Sequence, residues 1–123
     1  MPARRDLDPM HEDVNKQAEA LWRKYLILSK ELLKFIERED IDTFLEIVDQ
    51  RSVLVDKMKA LPPHTFRETQ EFADLVSKIK PLDMQVIYKA RTWLNKSRRN
   101  TSAVKAYDLK TFNPAGNLFN RKY

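Results

Sequence analysis

The sequence predicts an all-α protein, an antiparallel three- to four-helix bundle with a long N-terminal helix and a flexible C-terminal tail. The 123 residues contain one glycine and six prolines, and 33% of them are charged. This composition leaves few of the tight turns that a hairpin-rich sheet needs. Apolar residues instead recur at alternating spacings of three and four, which is the period of a helix face. We place the bundle domain at residues 1–107 and the tail at residues 108–123.

The first predicted helix covers residues 10–38, and Asp8-Pro9 is a suitable start because proline is tolerated in a first helical turn. Two neighbouring apolar stripes run along it. The wide apolar face that they form is typical of a bundle rather than of a two-stranded coil. The first stripe contains Val14, Ala18, Leu21, Tyr25, Leu28, Leu32 and Phe35, and the second contains Trp22, Leu26, Leu33 and Ile36.

The second predicted helix covers residues 41–60, with Asp40 as its N-cap. It ends before Pro62-Pro63, since the residue before a proline is pushed out of the helical region. Two apolar stripes again lie side by side, and one of them includes an arginine. They contain Ile41, Leu45, Val48, Ser52 and Val55, and Phe44, Ile47, Arg51, Leu54 and Met58.

The third predicted helix begins at Thr65, because Thr65 and Glu68 fit a capping box. Pro81 either kinks this helix or opens a new one. Helical character continues to about residue 107, and residues 113–117 have the composition of a turn.

Charge is distributed unevenly along the chain. Residues 1–83 carry 14 Lys+Arg and 17 Asp+Glu, whereas residues 84–123 carry 9 Lys+Arg and one acidic residue. The chain has no cysteine, so no disulfide framework is possible. No apolar run approaches the roughly 18 residues of a membrane helix. We therefore expect a soluble, cytoplasmic protein whose basic character lies in its last third.

The helices carry more apolar surface than their own packing requires, which predicts either self-association as a homodimer or a groove for another helix. The alternative is that all the residues of this groove belong to the core. The candidate groove residues are Leu54, Met58, Phe66, Phe72, Val76 and Ile79.

Two other functions compete with a binding role. The segment from Arg38 to Arg51 and on to Lys59 is similar to the first helix of all-helical chorismate mutases, in which buried Arg and Lys bind a dicarboxylate. The basic last third also suits nucleic-acid binding through phosphate contacts and base stacking. The candidate nucleic-acid contacts are Lys96, Arg98, Arg99, Lys105, Tyr107, Lys110 and Phe112.

Catalytic and metal motifs are not recognisable in the sequence. The two histidines, His11 and His64, have no second ligand at metal-binding spacing. No glycine-rich loop is present to hold a phosphate. We expect no enzymatic activity, no metal and no cofactor.

Four segments, read in order, resemble the FliT-type flagellar export chaperones, and the FlgN-type chaperones are similar as well. Residues 40–58 resemble the second helix of that family, and Ile79-Lys-Pro-Leu-Asp83 resembles its I-x-x-L-D segment. Residues 103–107 resemble its A-x-x-A-Y motif, and the ending from Gly116 resembles its terminus. Pro81 departs from the pattern, because a helix-forming residue is expected there.

The resemblance implies a cytoplasmic chaperone without enzymatic activity. Such a chaperone binds the C-terminal helical segment of a filament-cap or hook-junction subunit, prevents its premature assembly and delivers it to the flagellar export apparatus. The groove defined above would hold this client. Arg98, Arg99 and Tyr107 would then contact the export gate or a regulatory partner.

Overall fold

A computed structural model describes residues 9–97, with side chains from residue 12 onward, and shows three α-helices in this range. Helix α1 spans Pro9–Glu37, α2 spans Ile41–Lys59 and α3 spans Gln70–Ser97; a 3₁₀ turn, Phe66–Glu68, precedes α3. The described part of the chain contains no strand. The all-α bundle is therefore confirmed, and the first two helices end within one residue of their predicted ends. Residue 107 and the tail at 108–123 lie outside the described residues.

The three helices run up, down and up, with α1 packed against both others. A three-residue turn, 38–40, reverses the chain between α1 and α2. The Trp22 ring meets the Phe72 ring at 4.9 Å between centroids, and Glu37 pairs with Lys89 at 3.5 Å. Because both residue numbers rise together in these two contacts, α3 runs parallel to α1 and antiparallel to α2.

The tight turn between α1 and α2 is a Schellman motif followed at once by an N-cap. Glu39 takes a left-handed conformation with φ of 56°, and its N–H donates to the Ile36 carbonyl. The Asp40 N–H donates to the Phe35 carbonyl at 3.0 Å, and the Asp40 carboxylate accepts from the Thr43 N–H at 3.3 Å. These bonds satisfy orphan groups of both helices within three residues. The predicted N-cap at Asp40 is confirmed.

The apolar stripes form one continuous core. On α2, every member of the stripe that contains Arg51 is buried, while Ile41 and Leu45 of the other stripe are half-buried and Ser52 is exposed. On α1, both stripes contribute to the core, and Leu21, Leu33 and Phe35 lie at its edge. Burial of these faces is the main source of stability, at roughly 25 cal/mol per Å² of apolar surface.

The capping box predicted at Thr65 is wrong. The Thr65 hydroxyl makes no cap bond; it accepts from Asn15 Nδ2 at 3.1 Å, and the Thr65 N–H donates to Asn15 Oδ1 at 3.0 Å. Helix α3 begins at Gln70, directly after Thr69, whose hydroxyl accepts from the Phe72 N–H at 3.2 Å. Asn15, which lies 50 residues before Thr65, thus bonds the hydroxyl that a local cap would have used.

Helix α3 is continuous through Pro81, so the proline does not divide it. The ring removes the N–H that would bond to the carbonyl of Ser77. Pro81 and Ser77 are both exposed, on the side of α3 that faces away from the core. Water can therefore satisfy the carbonyl that loses its partner.

Candidate functional site

The six predicted groove residues, called here the Phe66 cluster, lie in the core and at its edge. Leu54, Met58, Phe66 and Ile79 are buried, and Phe72 and Val76 are half-buried. The Phe66 and Phe72 rings meet edge to face, with centroids 5.9 Å apart, and Trp22 of α1 also meets the Phe72 ring edge to face. In the described conformation this cluster is filled by the chain's own side chains.

Phe66 reaches the cluster from a connection, residues 60–69, and not from one of the long helices. This connection is ten residues long, against three for the turn between α1 and α2. Two hydrogen bonds between Asn15 and Thr65 are among the contacts that attach the connection to α1. Within the connection, the Phe66 N–H donates to His64 Nδ1 at 3.2 Å. A buried aromatic ring thus comes from a segment that lies outside α1, α2 and α3.

A buried polar cluster joins all three helices near their middles. Arg51 Nη1 of α2 donates to Asp83 Oδ1 of α3 at 2.6 Å and to Ser29 Oγ of α1 at 2.9 Å. Ser29 Oγ donates in turn to the Tyr25 carbonyl at 2.8 Å. The Arg51 guanidinium lies over the Tyr25 ring, 4.7 Å from its centroid. Arg51 of α2 therefore contacts a hydroxyl and an aromatic face of α1 and a carboxylate of α3.

Burial controls the protonation of this cluster. Desolvation raises the pKa of Asp83 above its ordinary value, and the charge and hydrogen bond of Arg51 oppose that rise. Desolvation also raises the pKa of Tyr25, so its hydroxyl stays neutral. Tyr25 Oη and Asp83 Oδ2 are buried without a hydrogen-bond partner among the described residues. The arrangement is costly for a carboxylate, and the Arg51 charge is what offsets the cost.

Sequence reasoning placed Arg51 on the apolar stripe of α2 but did not identify its partners. Ser29 lies four residues after Tyr25, and Asp83 lies four residues after Ile79, so each occupies a core position of its helix. A polar residue at a core position of a helix is the sequence signal that could have identified Ser29 and Asp83 as partners of Arg51.

The outer side of α3 carries a second apolar feature. Met84 and Tyr88, one turn apart, are 71% and 72% exposed, and Ile87 between them is half-buried. Lys80 precedes Met84 by one turn and Arg91 follows Tyr88 by three residues; both are exposed. These five residues, called here the α3 outer strip, share one face because they follow helical spacing.

The remaining predicted contacts are not brought together by the described residues. Arg98, Arg99 and Tyr107 lie outside them, as do Lys105, Lys110 and Phe112. The mutase-like cations do not converge: Arg38 and Lys59 are exposed at opposite ends of α2, while Arg51 is paired with Asp83. Within residues 12–97, no group of three or more acidic or histidine side chains is arranged to hold a metal ion.

Across the described part of the chain, none of the helices combines the length and hydropathy required to cross a bilayer. Comparison of the sequence with protein-family models and with curated proteins finds no match, and comparison with solved structures finds none.

Proposed function

We propose that the protein is a flagellar export chaperone of the FliT type, which binds the C-terminal helical segment of a filament-cap or hook-junction subunit. Binding keeps this client from assembling prematurely and delivers it to the export apparatus. The resemblance of four segments in order supports the proposal, and the up-down-up bundle is an architecture that suits it. Cytoplasmic location is part of the same proposal.

The observation that carries the proposal is the closure of the Phe66 cluster by a connection instead of a helix. An amphipathic client helix binds by laying apolar side chains at positions i, i+3 or i+4 into a groove. When the connection moves away, Phe66 leaves the cluster, and the edges of α2 and α3 offer Met58, Phe72 and Val76 to such side chains. The client thus replaces a buried aromatic ring with its own apolar residue.

Closure of the connection sets the client's affinity in this mechanism. For a client that binds only the open form, the free energy of opening opposes binding. Its apparent affinity is therefore its affinity for the open form multiplied by the fraction of open molecules. The two Asn15–Thr65 hydrogen bonds favour the closed form. Each such bond has a net value of about 1 kcal/mol or less where water can replace it.

The test is isothermal titration calorimetry with peptides from the C-termini of filament-cap and hook-junction subunits. We expect saturable binding to the intact chain. We expect Asn15→Ala to tighten it about fivefold, since the loss of about 1 kcal/mol of closing energy changes the open fraction by that factor. Gln17→Ala is the matched control, because Gln17 bonds only within α1, to Asp13 at 3.2 Å.

Absence of heat and of thermal stabilisation with every cap and junction peptide would overturn the proposed function. Binding that Asn15→Ala and Gln17→Ala leave equally unchanged would keep a chaperone but remove the role of the connection. Circular dichroism of both variants checks that the helices are retained.

A further inference from the structure

The α3 outer strip lies at the surface, where only Ile87 also packs against the core, and the client mechanism above does not use it. Met84 and Tyr88 are large and mostly exposed, and with Ile87 they form an i, i+3, i+4 set on one helix face. The other large apolar residues that are exposed in the described range, Ile27 and Val53, lie singly on α1 and α2. Scattered single residues are normal on a surface, whereas a helical set of three is typical of a contact surface.

The charged residues of α3 from residue 84 onward are all basic. Residues 84–97 contain Lys89, Arg91 and Lys96 and no acidic residue. Lys89 and Lys96 contact Glu37 and Glu39 at the end of α1 and the turn that follows it. Lys80 and Arg91 stand at the two ends of the strip, 11 residues apart, which is about 16 Å along a helix.

We propose that the α3 outer strip is a docking surface for an acidic amphipathic helix of a second protein. Two apolar residues of that helix, three or four positions apart, pack on Met84, Ile87 and Tyr88. Asp or Glu residues about one turn before and one turn after them meet Lys80 and Arg91. Opposite charges at both ends fix the register and speed the encounter, and the apolar centre supplies most of the affinity.

A second copy of this chain fits the strip poorly. A two-fold dimer through this face would place the two strips against each other, so that like charges from Lys80 and Arg91 lie in the same interface. A helix is also a better match than a bilayer, because the apolar part is only one helix wide and three side chains long. The interface is small, and we expect it to be transient.

The proposal stands independently of the client mechanism, because none of the strip residues belongs to the Phe66 cluster. A variant such as Met84→Glu should leave the binding of cap or junction peptides unchanged. Failure of client binding in calorimetry would in turn leave the strip and its partner chemistry untouched.

The experiment uses two fluorescent helical peptides with the same apolar residues. One carries Glu at the flanking positions and the other carries Lys, and binding to the full chain is followed by fluorescence anisotropy. We expect the Glu peptide to bind at least tenfold more tightly than the Lys peptide, with affinity that falls as salt is raised. Met84→Glu should weaken the binding of the Glu peptide at least tenfold, whereas Val53→Glu, at an exposed apolar residue of α2, should not.

Equal binding of the two peptides, or equal effects of Met84→Glu and Val53→Glu, would overturn the proposal. The proposal would also be overturned if the chain bound phosphatidylglycerol vesicles, or a single-stranded oligonucleotide, more tightly than the Glu peptide and Met84→Glu abolished that binding. A dimer in analytical ultracentrifugation that Met84→Glu dissociates would assign the strip to a second copy instead. Since Met84 is 71% exposed, its replacement does not endanger the fold.

Discussion

Arg51 and Asp83 are charged residues at the centre of an apolar bundle, and their pairing is the most specific contact in the fold. Burying two charges costs several kcal/mol each, which good geometry and added hydrogen bonds can repay. Here the distance is 2.6 Å, and Ser29 accepts a second bond from the same guanidinium nitrogen. Because each of the three residues lies on a different helix, the cluster constrains how the helices are aligned along one another.

Replacing one partner of this pair should be more harmful than replacing both. Asp83→Leu leaves Arg51 buried without its counter-charge and should cost about 3–5 kcal/mol of unfolding free energy. The double variant Arg51→Met, Asp83→Leu should recover most of that loss, since two apolar side chains need no partner. Urea denaturation of the wild type, both single variants and the double variant measures the coupling. A double variant as unstable as the sum of the singles would contradict the interpretation.

The raised pKa of Asp83 predicts a pH dependence of a stated sign. The folded chain holds the Asp83 proton more tightly than the unfolded chain, in which the pKa is about 3.8. Between that pH and the higher folded pKa, the unfolded state binds fewer protons, so rising pH lowers the contribution of Asp83 to stability. Relative to Asp83→Asn, the wild type should therefore lose stability as pH rises above about 3.8. A difference in unfolding free energy between the wild type and Asp83→Asn that stays the same at every pH would contradict this prediction.

At the scale of elements, helix positions follow from the sequence wherever local chemistry decides them. The start of α2 at Asp40 and its end before Pro62 depend on neighbouring residues, and both were predicted. The start of α3 was not, because Asn15 competes for Thr65 across 50 residues. The pairing of Arg51 with Ser29 and Asp83 was missed for the same reason, since it depends on the alignment of three helices that no short segment encodes.

Pro81 offers a test of how α3 tolerates an internal proline. Pro81→Ala restores the N–H that can bond the Ser77 carbonyl and removes a residue that is up to about 3 kcal/mol less favourable than alanine in a helix. Alanine also makes the unfolded chain more flexible than proline does, and this entropy offsets up to about 1 kcal/mol of the gain in stability. We expect the variant to be about 1–2 kcal/mol more stable in thermal or urea unfolding. Gln85→Ala, also exposed on α3, is the control and should change stability by less than about 0.5 kcal/mol. A Pro81→Ala variant that is less stable than the wild type would mean that the proline serves the packing of α3.

At the scale of the whole molecule, the Phe66 cluster and the α3 outer strip differ in their exposure to solvent. The connection closes the Phe66 cluster at one end of the bundle, so in the proposed function a client reaches the cluster only after a local opening. The α3 outer strip is exposed at Met84 and Tyr88, on a different face of α3 from buried Asp83 of the polar cluster. The core itself was predictable as a set of apolar stripes, and four of the six groove residues prove to be core residues. Whether a face is closed or open depends on the course of the connection, which the stripes do not specify.

Local opening also fits the energetics of the connection. Segments held by few hydrogen bonds and few buried side chains open at lower free energy than the helices they join. Phe66 is the one side chain of residues 60–69 that is fully buried, while Pro62, Pro63, Thr65 and Glu68 are exposed. Opening of the segment would remove this ring from the core, and in the proposed function a client residue takes its place and restores the lost burial.

Hydrogen exchange with and without a bound client peptide tests this central claim most directly. The N–H groups of Thr65 and Phe66 are bonded to Asn15 and His64, and those of Glu68 and Thr69 to the Thr65 and Phe66 carbonyls. The account predicts that a client peptide speeds exchange at these four amides while it slows exchange in the first turns of α3, around Phe72 and Val76. A peptide that binds tightly and leaves the exchange of residues 60–69 unchanged, or slows it, would contradict the account.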